Sequence, residues 1–257
     1  MAKHIVIANQ KGGVGKTTTA VNLTASLHAA GKSVLLCDFD PQANATSGLG
    51  VDKNAVSPNI YDILIDGADV ERGVVQTPWG DVLPSNKELA GAGVEMIGMD
   101  RREYLLREAL DKLSDRYDYI LIDCPPSLEL LTLNGLCAAD SVLIPVQCEY
   151  YALEGLSDLL STVRIVKKKL NPSITIEGVL LTMYDGRNNA AKTIRNVAIG
   201  TFGEEMVFRT TIPRNTTLNK AVMSNLAVCD YDDGCSSCRS YRELAQEMEA
   251  RLDPKNA

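Results

Sequence analysis

Eight consecutive residues, Lys11-Gly12-Gly13-Val14-Gly15-Lys16-Thr17-Thr18, constrain this chain more than anything else in it. They follow the apolar run His4-Ile5-Val6-Ile7-Ala8 and open a segment, 16–30, with helical periodicity. A strand, a glycine-rich turn and a helix in that order wrap backbone N–H groups around an anionic phosphate chain, where the helix dipole also favours negative charge. In that setting Lys16 reaches β- and γ-phosphate oxygens and the Thr17 hydroxyl ligates Mg²⁺. The strict eight-residue phosphate-loop pattern, counted back from Gly15-Lys16-Thr17, requires a glycine where Gln10 stands. What survives is the variant Lys-Gly-Gly-x-Gly-Lys-Thr, in which Lys11 is a second lysine. A cation there can cross a dimer interface to another subunit's phosphates and stabilise charge in transfer, as an arginine finger does.

Short apolar runs then recur at Ser33-Val34-Leu35-Leu36-Cys37, Tyr119-Ile120-Leu121-Ile122, Ser141-Val142-Leu143-Ile144-Pro145-Val146 and Ile176-Glu177-Gly178-Val179-Leu180-Leu181. They are mostly continuous rather than alternating, which is how strands covered on both faces read. Helical patterns fill 101–113, 127–139, 153–170, 190–202 and 237–252. This alternation predicts an α/β fold, a doubly wound, mostly parallel sheet with helices on both faces. Residues 44–100 read as an irregular elaboration with short helices near 61–65 and 87–90. No repeat, linker or low-complexity tract divides residues 1–257, which are expected to form one domain.

Two further strand ends carry carboxylates, in Cys37-Asp38-Phe39-Asp40-Pro41-Gln42 and in Leu121-Ile122-Asp123-Cys124-Pro125-Pro126. An Asp at the carboxyl end of a buried strand beside the phosphate loop holds Mg²⁺ through water, the role expected of Asp123. Asp40 is placed to orient an attacking water, and Asp38 to support the outer shell of the metal.

The chain carries 26 Lys and Arg against 33 Asp and Glu, a net −7 that argues against coating nucleic acid over the whole surface. The balance reverses locally. Residues 161–220 hold ten basic residues against four acidic ones, among them Arg187, Lys192 and Arg195. Phosphate contacts need Lys and Arg but no base-reading geometry, so one patch suffices if a dimer doubles it. Lys192 and Arg195 share a helix face, with Arg187 just ahead. The run Lys167-Lys168-Lys169 reads by itself as a solvated helix end. No apolar run is long enough to span a membrane, and seven cysteines, an odd number, suit reduced thiols in the cytoplasm.

These residues resemble the ParA/Soj branch of the deviant phosphate-loop ATPases, the family that also contains the MinD regulators and the nitrogenase iron proteins. The resemblance runs through Asn9 to Thr19, Asp38 to Gly50, Asp123 to Ser127, Pro145 to Gly155, Leu181 to Asp185 and Ile212 to Asn215. It implies a phosphate-loop NTPase fold and an ATP-driven sandwich homodimer in which Lys11 crosses to the partner. By the same resemblance the dimer binds double-stranded DNA without sequence preference, and a ParB-type protein stimulates Mg²⁺-dependent hydrolysis that returns monomers. It also puts Pro213, Arg214 and Asn215 near the adenine, Arg187 in the DNA-contacting surface, and the protein on the nucleoid.

Two segments depart from the family. After Asn215 the chain reads Thr216-Thr217-Leu218-Asn219-Lys220-Ala221-Val222-Met223 where a basic residue and Glu-Ala-Pro are usual, and Cys229, Cys235 and Cys238 stand in a stretch usually free of cysteine. Cys235-x-x-Cys238 invites a metal or iron–sulfur cluster, as in related carrier ATPases, but a second pair is missing. Reduced surface thiols are the expectation. His4 and His28 are expected to be structural. A MinD-like membrane role needs a basic amphipathic C-terminal helix, whereas 240–257 carries Glu243, Glu247, Glu249 and Asp253.

Overall fold

The computed structural model describes residues 1–149 and 154–252. Tyr150 to Leu153, part of one family-like block, and the last five residues of the tail lie outside them.

Seven strands form one parallel sheet: β1 (Lys3–Ile7), β2 (Val34–Asp38), β3 (Asp81–Leu83), β4 (Tyr119–Asp123), β5 (Ser141–Gln147), β6 (Thr175–Tyr184) and β7 (Val207–Pro213). Their order is β3-β2-β4-β1-β5-β6-β7, with every neighbouring pair parallel. The helices are α1 (Lys16–Ala29), α2 (Asn44–Gly48), α3 (Ile60–Leu64), α4 (Val70–Gly73), α5 (Leu89–Glu95), α6 (Leu105–Asp111), α7 (Leu130–Ala138), α8 (Glu154–Lys169), α9 (Asn189–Phe202), α10 (Thr216–Met223), α11 (Val228–Tyr231) and α12 (Ser236–Leu252).

Side chains alternate across a strand, and here they feed two cores. Ile5, Ile7, Leu36, Leu121 and Leu143 meet α1, α10 and α12 on one face. Val6, Leu35, Ile120, Ile122, Val142 and Ile144 meet α3 and α5 to α9 on the other. Both faces are covered, which is why the runs read as continuous. Pro145 is tolerated in central β5 because it lies beyond the last pair with β1, Ile7 with Leu143.

All five expected strands are present, and β3 and β7 are additional. β3 is only three residues long, and β7 places Arg209, Thr210 and Thr211 on a partly exposed edge, so neither carries an apolar run. The expected helices at 101–113 and 127–139 shorten to α6 and α7, because Arg101 takes a left-handed turn and the chain from Cys124 to Glu129 is loop. His4 is structural as expected, buried with its ring nitrogens against Ala138 O at 3.0 Å and Ser114 Oγ at 2.8 Å. The apolar face of α12, with Tyr241, Leu244, Ala245 and Met248, is buried against the core that contains α1. No described helix is long and apolar enough to cross a membrane.

Candidate nucleotide site

The register of the sheet sets the site. Ile7 pairs with Asp123 on β4, and Asp123 pairs with Asp38 on β2, so the three strands end in one row beneath the glycine-rich turn. Asn9 holds the entrance of that turn: its Nδ2 donates to Pro145 O at 2.7 Å while its Oδ1 accepts from Lys11 N at 3.0 Å. At the exit, Thr182 Oγ1 donates to Val14 O at 2.8 Å. Gly13 and Gly15 have φ of 74° and 91°, left-handed values that few other residues adopt without strain. Gly15 directly precedes α1, whose first turn then carries Lys16, Thr17 and Thr18.

Lys16 is buried, and its ammonium donates to Lys11 O at 3.3 Å. Burial lowers its pKa, against the opposing pull of Asp123 and Asp40. Asp123 is wholly buried, and burial together with the Asp38 charge pushes its carboxyl well above the usual range, with nearby Thr17 opposing. Neither Asp123 oxygen has a hydrogen-bond partner of normal geometry. A buried carboxylate left in that condition fits a group that coordinates oxygen, and Thr17 beside it completes a hard, all-oxygen donor set suited to Mg²⁺.

Asp38 and Asp40 have separate structural roles. Asp38 Oδ2 accepts from Thr46 N and Thr46 Oγ1, both at 2.7 Å, and its Oδ1 accepts from Asp40 N at 3.2 Å, which shapes the loop between β2 and α2. Burial nonetheless raises its pKa to about 6. Asp40 keeps one carboxylate oxygen on Gln42 N at 2.9 Å, and its carbonyl accepts from Ser85 Oγ at 2.9 Å.

Beside the loop opens a cleft of about 270 Å³. Gly15 and Thr18 form one wall and Pro213, Arg214 and Asn215 another, so the structure brings these sequence-predicted residues together. Asn215 Oδ1 caps α10 through Thr217 N at 2.8 Å, and Arg214 pairs with Glu149 at 2.9 Å. Thr182, Met183, Ile212, Leu218, Asn219 and Tyr241 complete the lining and were not assigned to it from the sequence. Thr182 lies inside the family-like block Leu181 to Asp185, which was the one signal for it. Tyr241 had none, being one apolar position on a helix far along the chain.

The basic segment is not one face. Lys167, Lys168 and Lys169 end α8 ahead of the amino end of β6, while Arg187 follows its carboxyl end, about 30 Å away along ten residues of strand. Arg214 belongs to the cleft. What remains together is Arg187, with a 92% exposed side chain, and α9 with exposed Lys192 and half-buried Arg195. Arg187 Nε and Nη2 both bond Asp185 at 3.0 Å.

The cysteines correct the expectation of reduced surface thiols. Cys238 is wholly buried and bonded to Cys229, and Cys235 is buried as well, because Cys238 opens the core-facing stripe of α12 that continues through Tyr241, Ala245 and Met248. No three Cys, His, Asp or Glu residues among the described ones form a metal-holding group.

A parallel sheet whose first strand runs through a glycine-rich turn into a helix, with a buried lysine and two strand-end carboxylates beneath it, defines a phosphate-loop nucleotide-binding protein of the α/β class. A family model described as an AAA domain matches residues 2–176. The chain is 51% identical over 252 residues to the sporulation initiation inhibitor protein Soj of Bacillus subtilis, covering 97% of this chain and 99% of that one. It is 47% identical to the chromosome-partitioning ATPase Soj of Treponema pallidum, over 98% of each chain. It belongs to the Soj/ParA family of chromosome-partitioning ATPases. Among solved structures, it superposes on a Mycobacterium smegmatis protein described as cobyrinic acid a,c-diamide synthase with bound ATP analogue and magnesium. The TM-score is 0.88 and the identity 35%, over 99% of this chain and 97% of that one.

Proposed function

We propose that this chain is a single-domain, Mg²⁺-dependent ATPase that partitions DNA through an ATP-driven homodimer. The observation that carries the reading is the convergence of Lys16, Thr17 and the unpartnered Asp123 at the mouth of the glycine-rich turn. Lys16 binds the β- and γ-phosphate oxygens, and the turn 11–18 supplies backbone N–H donors. Thr17 and Asp123 would hold Mg²⁺, Asp123 through water, with Asp38 supporting the outer shell of the metal. When bound, the ion would neutralise phosphate charge. Asp40 orients the attacking water, and Lys11 reaches the γ-phosphate of the partner protomer. Pro213, Arg214 and Asn215 line the adenine.

In this reading Arg187, Lys192 and Arg195 contact backbone phosphates of duplex DNA without reading bases, and two copies in a dimer give useful affinity. A ParB-type partner accelerates hydrolysis and returns monomers, and the protein works on the nucleoid. The test is light scattering coupled to size exclusion, run with Mg-ATP and Mg-ADP, alongside phosphate release. A dimer with ATP, a monomer with ADP and slow phosphate release support the reading; a monomer in both states with no release refutes it.

A further inference from the structure

The three cysteines in the segment that departs from the family converge next to the base end of the cleft. Cys229, on α11, is joined by a disulfide to Cys238 in the first turn of α12, and Cys235 Sγ accepts from Cys238 N at 3.3 Å. Both helices reach the nucleotide site. Val228, beside Cys229, donates its N–H to Asn22 Oδ1 at 2.7 Å, and Asn22 Nδ2 donates to Thr18 O at 2.8 Å. That chain of contacts anchors α11 to the first turn of α1. Across the cleft, Ser236 Oγ accepts from Asn215 Nδ2 at 3.0 Å, and Tyr241 lines the wall. The disulfide therefore ties the helix bearing the base-side wall to a helix fixed on the phosphate-side wall. Cys238 is wholly buried, but Cys229 is half-buried beside exposed Asp230 to Gly234, so a small thiol reaches the bond at Cys229.

We propose that Cys229 and Cys238 form a reversible thiol–disulfide switch whose oxidised state holds the base end of the cleft in its binding shape. The inference rests on reading that cleft as an adenine-nucleotide site. In reduction, a thiolate from a small dithiol attacks Cys229 Sγ and the S–S bond breaks. Cys238 leaves as thiolate and takes a proton, and the second thiol of the reductant then displaces Cys229. Two electrons and two protons pass to the protein, and the reductant becomes a disulfide. Oxidation by a small-molecule disulfide such as oxidised glutathione runs the exchange in reverse. Tyr241 stays packed in the core, but with the bond open the first turn of α12 that carries exposed Ser236, and through it Asn215, must be ordered by the nucleotide itself, which weakens binding. Lys16 and Thr17 lie outside the tether, and their hold on phosphate is unchanged.

The experiment uses the full chain equilibrated with oxidised glutathione or with dithiothreitol. Thiols are counted after denaturation, and ATP and inorganic triphosphate are each competed against a fluorescent ATP analogue. The expected result is five thiols in the oxidised chain and all seven in the reduced one. Reduction should weaken ATP about five- to tenfold and leave triphosphate unchanged. Cys229→Ser should bind as the reduced chain does in both buffers, while Cys235→Ser keeps the difference. Seven thiols in both states, one ATP affinity in both states, or a Cys235→Ser chain that loses the difference would overturn the switch. If Cys229→Ser fails to fold, the two redox states of the parent decide alone. ATP binding absent from both states would overturn the nucleotide reading, and the switch with it.

Discussion

The phosphate end of the cleft draws every group from the carboxyl ends of β1, β2 and β4 and the first turn of α1, whereas the base end is assembled from β6, β7, α10 and α12. At the phosphate end the groups are charged and buried, positioned by sheet register. At the base end they are mostly neutral and are held by single side-chain bonds such as Thr182 to Val14 and Asn215 to Ser236. A desolvated charge is worth far more to a bound anion than a neutral contact is to a base, so the two ends should differ in how much one substitution costs.

The largest effect is expected at Lys16. Lys16→Ala should weaken ATP at least about a hundredfold, because on the proposed reading it removes the cation that meets the β- and γ-phosphates. The variant should melt close to the parent, since the burial cost of the lost ammonium outweighs its attraction to Asp123 and Asp40. Calorimetric affinity within a few-fold of the parent would contradict this. Asp40→Ala should bind ATP within a few-fold and lose hydrolysis by about a hundredfold or more. Its dimer should persist with ATP on size exclusion, and a monomer there would remove Asp40 from the water-orienting role.

Gly12→Val separates the chain from its partner. A Cβ at Gly12 meets nothing within 4 Å inside this chain, so nucleotide affinity should be retained while a side chain at the loop tip blocks the opposing protomer. Equal dimer yields for variant and parent would refute that geometry. The smallest effect belongs to the base end. Thr182→Val leaves Val14 O without its donor, a loss of about 1 kcal/mol or roughly fivefold in ATP affinity, and Thr182→Ser should restore it. A hundredfold loss at Thr182 would erase the distinction between the two ends.

The same contrast decided what the sequence disclosed. Asp38, Asp40, Asp123 and the loop 11–18 were legible because each sits at the end of a buried apolar run, where residue type and position carry the chemistry together. Tyr241 was hidden because its partners lie far off in the chain, and α12 reads as any amphipathic helix. β7 was hidden because Glu247 of α12 satisfies the N–H groups of Arg209 and Thr210, at 2.8 and 2.9 Å, so an edge strand persists without an apolar pattern. The basic excess of 161–220 was visible as a sum, but summing along sequence merged two opposite ends of the sheet. Cys229 and Cys238 read as surface thiols because the stretch between them is mostly polar and exposed, and nothing in their spacing says that Cys238 opens the buried face of α12.

The most direct test of the account is a duplex titration with ATP, ADP and no nucleotide, run on the parent and on Arg187→Glu. The account predicts binding by the ATP form alone, steeply weakened by added salt and indifferent to base sequence, because released counterions drive it. Arg187→Glu should dimerise normally and lose DNA. Equal binding in all three nucleotide states, salt-insensitive binding to one particular sequence, or undiminished binding by Arg187→Glu would contradict it.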